Sequence, residues 1–82
     1  MIVQVKMFAV AKQLVGTELI QIELPSHSTV GQLRAALGDQ YPELNEVLGH
    51  VVFAVNQEYA TDNTTVPPDS EVACIPPVSG GA

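Results

Sequence analysis

Thr29-Val30-Gly31-Gln32-Leu33-Arg34-Ala35-Ala36-Leu37-Gly38-Asp39-Gln40 is the segment whose pattern most clearly demands a helix. Thr29 and Gln32 stand at capping-box spacing, the threonine as N-cap and the glutamine reaching back to it. Val30, Leu33 and Leu37 then fall at i, i+3 and i+7, one apolar stripe of an amphipathic helix. The pattern predicts a helix over 30–40. Gly31 and Gly38 weaken it by up to ~1 kcal/mol each relative to alanine, and Pro42 blocks easy continuation. Glu43 to Leu48 is compatible with a short second helix. Its acidic residues lie near the N-terminus, where the helix dipole favours them, and Gly49 stands as a stop.

Upstream of the helix, Ile2 to Phe8 alternates in the period of a half-buried strand, with Val3, Val5 and Met7 on one face and Gln4 and Lys6 on the other. Glu18 to Leu24 alternates again, with Ile20, Ile22 and Leu24 together, and Pro25 ends it. Between them Ala11, Leu14 and Val15 are compatible with one helical turn before Gly16. The two strands read as an antiparallel hairpin with an elaborated loop.

Downstream, Val51-Val52-Phe53-Ala54-Val55 is the most apolar run of the chain and predicts a central strand covered on both faces. Asn56-Gln57 is a turn pair, Glu58-Tyr59-Ala60 a short return strand, and the polar stretch from Thr61 to Ser70 a crossing loop. Glu71 to Ile75 is the last strand. Strand, strand, helix, strand, short strand, strand is the order of an α+β, β-grasp (ubiquitin-like) fold: a mixed sheet of about five strands with one main helix packed on it. The last strand is expected beside the first in the middle of the sheet. The expected organisation is one domain over 1–75 and a flexible C-terminal tail over 76–82.

With 82 residues, one domain is all the chain can form. Its 46% hydrophobic content, with two Phe, two Tyr and no Trp, gives a mostly aliphatic core. The single cysteine, Cys74, excludes an internal disulfide framework and suits a reducing cytoplasm. Neither a signal peptide nor a membrane-spanning run is expected. Three Lys/Arg against nine Asp/Glu give a net charge of −6, which argues against nucleic-acid binding and for a protein partner with a basic face.

No catalytic constellation of side chains is visible. His27 and His50 stand at element boundaries without a Cys, His or acid at metal-ligand spacing. Cys74 falls inside a predicted strand and reads as a small hydrophobe. Gly80-Gly81 is followed by no helix that would bind phosphate. What remains is the main-chain carboxylate of the tail, Pro76-Pro77-Val78-Ser79-Gly80-Gly81-Ala82. The prolines lack N–H donors and stiffen the exit, and the glycines have no β-carbon, so the tip is slim.

Phe8-Ala9, Leu14-Val15-Gly16, Ala54-Val55-Asn56-Gln57-Glu58-Tyr59 and above all Val72-Ala73-Cys74-Ile75-Pro76-Pro77-Val78-Ser79-Gly80-Gly81 resemble the small subunits of molybdopterin synthases, which are ubiquitin-like sulfur carriers. The resemblance covers essentially the whole domain. It implies that a partner adenylating enzyme uses ATP to activate the terminal glycine carboxylate. Sulfur then displaces AMP to leave a thiocarboxylate. The tail next enters the large subunit, in a heterotetramer, and gives its sulfur to cyclic pyranopterin monophosphate during molybdenum cofactor biosynthesis. On this reading Gly81 carries the chemistry, Gly80 gives passage through a narrow channel, and Ser79 belongs to the inserted tail. Val78 is an apolar anchor, and Pro76 and Pro77 stiffen the exit. Lys12 falls where the family often has a basic residue and is a candidate partner contact. No permanently bound cofactor or metal is implied, and the catalytic side chains belong to the large subunit. Phe8 and Phe53 are candidates for a contact face, although core positions suit both better.

The chain departs from the family pattern at Ala82, which follows the second glycine. Removal by a peptidase, a non-native addition and loss of the carrier role are the three explanations. A sulfur carrier for another pathway, a ubiquitin-like protein modifier and a plain β-grasp interaction module are the competing readings.

Overall fold

A computed structural model describes residues 1–77. The strands are β1 (Ile2–Met7), β2 (Leu19–Glu23), β3 (Val52–Val55), β4 (Glu58–Ala60) and β5 (Glu71–Ile75). The helices are α1 (Ala9–Val15), α2 (Val30–Gln40) and α3 (Asn45–Leu48), the last preceded by one 3-10 turn over Pro42–Leu44. The sheet order is β2-β1-β5-β3-β4. β1 and β2 are antiparallel, β1 and β5 parallel, and β3 is antiparallel to both β5 and β4.

The alternation in each strand decides which face meets the helices. Val3, Val5 and Met7 of β1, Ile20 and Ile22 of β2, and Val72 and Cys74 of β5 are buried with Val30, Leu33 and Leu37 of α2. Each buried aliphatic side chain contributes about 1.5–3 kcal/mol relative to leaving it in water.

The expected capping box is present. Gln32 N–H donates to Thr29 Oγ1 at 3.3 Å, and Thr29 N–H donates to Gln32 Oε1 at 2.8 Å. Two more unpaired donors of the first helical turn find the crossing loop: Val30 N–H bonds Thr64 O at 2.8 Å and Gly31 N–H bonds Asp62 O at 2.9 Å. This accounts for Gly31. An added β-carbon would meet the Asp62 carbonyl oxygen and β-carbon at 3.3 Å. At Gly38 it would lie 2.5 Å from Asn45 Oδ1. What looks like a helix weakness in sequence is close approach of neighbouring segments.

Three expectations need correction. β3 has a strand on each side, but the middle position belongs to β5, and Val52 on the open face is 43% exposed. Phe8 is not a core residue, because it is 39% exposed, whereas Phe53 is fully buried. Gly49 follows α3 with φ −67, a right-handed conformation rather than the left-handed cap, which Gly16 supplies for α1 at φ 81. Asn56 and Gln57, at φ 51 and 72, form the tight two-residue turn between β3 and β4, with the positive φ pair of a type I′ hairpin.

Candidate functional site

The sheet has one covered face and one open face, and β5 runs through the middle of both. Its register with β1 sets Lys6 beside Ala73, and its register with β3 sets Ala54 beside Ala73 and Val52 beside Ile75. β4 adds Tyr59 beside Ala54. A row Lys6–Ala73–Ala54–Tyr59 therefore crosses the open face. Its two central members carry only methyl groups, which leaves a shallow trough walled by Phe8, Gln57, Tyr59 and Ile75. Tyr59 is 79% exposed, and Lys6 Nζ lies 5.6 Å from the centre of the Phe8 ring. Apolar side chains gathered on an exposed face, with a cation at the edge, are characteristic of a protein contact surface.

This trough lies at the root of the tail. β5 is paired with β1 up to Cys74 and with β3 up to Ile75, and Phe8 N–H also bonds the Cys74 carbonyl at 3.3 Å. Pro76 and Pro77 then carry no N–H with which to continue either ladder. Pro76 is buried and Pro77 exposed. Val78, Ser79, Gly80, Gly81 and Ala82 lie outside the described residues. Lys12 is exposed on α1, with its Nζ 3.9 Å from a Glu18 carboxylate oxygen.

Cys74 precedes Ile75 but points to the other face, fully buried among core residues. Burial pushes its thiol up to about 11, with the Arg34 charge opposing the rise. The nucleophilic thiolate is thus disfavoured, as the small-hydrophobe reading requires. His27 and His50 are both exposed. Among the described residues no group of three or more His, Cys, Asp or Glu is placed to hold a metal ion. No described helix is long and apolar enough to cross a membrane.

Lys6, Tyr59, Ala54, Ala73 and Ile75 were not singled out as a surface by sequence reasoning. Alternation does put Lys6 and Tyr59 on the face away from the core. Their meeting across β5 depends on strand order and register, which no local pattern carries.

Five strands in this order around one main helix, with the central strand running out into the tail, define a β-grasp protein of the ubiquitin-like type. Residues 5–81 match the ThiS family, and the chain belongs to it. It is 40% identical over 79 residues to a molybdopterin synthase sulfur carrier subunit of Arabidopsis thaliana, covering 96% of this chain and 82% of that protein. In structure it is similar to SAMP1 of Haloferax volcanii, at TM-score 0.86 and 27% identity over 99% of this chain and all of that one. It is also similar to a chain of the complex of subunits 1 and 2 of molybdopterin-converting factor from Helicobacter pylori, at TM-score 0.69 and 28% identity, over 99% of this chain and 100% of that chain.

Proposed function

We propose that this chain is the sulfur-carrying subunit of a molybdopterin synthase, with Gly81 as the residue that bears the sulfur. The observation that carries the reading is the kinship of nearly the whole chain to a named sulfur carrier subunit. The central strand supports it, since it ends at a proline pair beside an exposed apolar trough.

The chemistry follows from the carboxylate. A carboxylate is a poor electrophile, so ATP on a partner enzyme converts it to an acyl-adenylate with loss of pyrophosphate. A sulfur nucleophile then displaces AMP and leaves a thiocarboxylate. When that sulfur passes to the pterin substrate, its bond to the acyl carbon breaks, and oxygen from water restores the carboxylate. Gly80 and Gly81 keep the tip thin enough for a channel, Val78 and Ser79 follow it, and Pro76 and Pro77 hold its base. With Ala82 attached, the carboxylate belongs to the wrong residue, so the proposed chemistry requires a chain that ends at Gly81.

The trough is the docking face for the large subunit. Phe8, Tyr59 and Ile75 supply the apolar contacts and Lys6 the cation at the rim, with the exposed Lys12 of α1 as a further candidate contact. The likeness to a chain of a two-subunit complex supports a large-subunit partner.

Reconstitution decides the matter. Thiocarboxylated protein ending at Gly81, mixed with a large subunit and cyclic pyranopterin monophosphate, is expected to form molybdopterin, while the form ending at Ala82 does not. Failure of both forms with a competent large subunit would sink the proposal. The likeness to SAMP1 favours protein modification as the second reading. A ladder of larger conjugates on a denaturing gel from native cells would support it, and a carrier produces none.

A further inference from the structure

The outer edge of β2 is set up to take an added strand. Leu24 N–H bonds Met1 O at 2.8 Å, and Met7 N–H bonds Glu18 O at 2.7 Å. In an antiparallel ladder the inward-bonding residues alternate, so Ile20 and Ile22 also turn their backbone groups toward β1. The N–H and C=O groups of Leu19, Gln21 and Glu23 therefore face outward, and β2 has no neighbour on that side. Among the described residues their one hydrogen-bond partner is Thr17 Oγ1, which donates to Leu19 O at 3.5 Å.

The surface beside this edge is apolar in its middle and acidic around it. Leu19 is 49% and Ile2 60% exposed, and they flank a groove over β1 and β5 that Gln4 also lines. Glu18, Asp69 and Glu71 border the groove, and Glu23 stands opposite Ile2 in the register. The cation at the groove is Lys6, whose ammonium lies over Phe8 at the other side. Lys12 reaches Glu18 only at 3.9 Å, with both side chains exposed, so that carboxylate is weakly neutralised.

We infer that the β2 edge binds an extended segment of a partner protein that carries a basic residue and, four positions later, an apolar one. An antiparallel strand on this edge sets the basic residue against Glu23, a polar residue against Gln21 and the apolar residue against Leu19. Main-chain bonds then hold the segment, and the cross-strand pairs select it. A second copy of this chain fits poorly. Pairing the edge with itself about Gln21 opposes Leu19 to Glu23, and each copy carries a net charge of −6. The groove and the tail-root trough share Lys6 and Glu71, but the strand edge itself lies on the far side of β1 from β5. The inference goes beyond the carrier reading and holds whether or not the tail carries sulfur.

The probe is the capped peptide Lys-Arg-Val-Thr-Val-Ile-Thr, titrated into the isotopically labelled full chain and followed by NMR. The amide signals of Leu19, Gln21 and Glu23 are expected to shift, and their exchange with solvent to slow at least tenfold. Gln21→Pro removes an outward donor while leaving the β1 ladder intact, since proline is tolerated where an edge N–H faces solvent. It should weaken binding at least tenfold. Glu23→Lys should weaken binding by about as much and, with no proline, retain the fold. The inference is overturned if the shifts gather at Phe8, Tyr59 and Ile75, if no edge signal moves at ~1 mM peptide, or if both variants bind as the parent does.

Discussion

Arg34 Nη2 lies 2.9 Å from Asp62 Oδ1, tying α2 to the crossing loop. The same guanidinium donates through Nη1 to the carbonyls of Leu48 and Val51, the latter at 3.2 Å, and lies 5.0 Å from the Phe53 ring centre. One half-buried cation thus joins the helix, the end of α3, the start of β3 and the loop. Charge-assisted bonds of this kind contribute about 1.5–3 kcal/mol each when a partner is deleted. Arg34→Ala is expected to cost ~3 kcal/mol overall, and Arg34→Lys to recover less than half, because an ammonium lacks the planar fork. Urea denaturation measures both. Asp62→Asn, at the exposed end, should cost under about 1 kcal/mol.

Gly31→Ala would ordinarily stabilise a helix by up to ~1 kcal/mol. Here the new methyl presses on the Asp62 carbonyl oxygen and β-carbon at 3.3 Å, and Asp62 is held by Gly31 N–H on its carbonyl and by Arg34 on its carboxylate. Overpacking outweighs propensity, so the substitution is expected to lower stability by about 1 kcal/mol. A rise in thermal midpoint would show that the loop yields freely.

Gln57 sits at φ 72 in the hairpin turn, where a β-carbon is strained. Gln57→Gly creates the Asn-Gly pair that such turns prefer and should stabilise the protein by roughly 0.5–1 kcal/mol. Thermal unfolding of the two proteins side by side tests this.

The Cys74 thiol titrates at about 11 in the folded chain against 9.0 as its ordinary value. The folded pKa is raised, so the associated stability is fully present below pH 9 and is lost as pH climbs toward 11. The two-unit difference corresponds to roughly 2–3 kcal/mol. Cys74→Ala should flatten that part of the stability profile between pH 9 and 11. Iodoacetamide should label native Cys74 far more slowly than the urea-unfolded chain.

Tyr59→Asp should leave the thermal midpoint within a few degrees, since the side chain is 79% exposed. If the trough is the large-subunit face, the same change weakens association at least tenfold, as measured by calorimetry. Unchanged affinity would move the docking face elsewhere.

Much of the fold is legible residue by residue. The Thr29–Gln32 box and the Val30, Leu33, Leu37 stripe mark α2, and alternation marks β1 and β2, because these signals act over a few residues. Val51 to Val55 misleads for the same reason. A continuous apolar run marks burial, but on β3 the coverage comes from unlike sources, and Val52 is left open. Phe8 misleads in the same sense: its aromatic ring suggests the core, but its extended backbone continues the alternation of β1 and sets it on the open face with Lys6.

The sequence by itself determined which segments are helix and strand, the acidic balance and the ending Pro-Pro-Val-Ser-Gly-Gly, all of which are local or summed properties. The tertiary structure alone decided that Lys6, Ala73, Ala54 and Tyr59 form one row at the tail's root. It alone showed that Arg34 clamps two distant carbonyls, and that Leu19, Gln21 and Glu23 turn their backbone groups away from β1 toward an edge with no neighbouring strand. Each depends on which strand lies beside which and in what register, and that is settled only when the whole apolar face closes over one core.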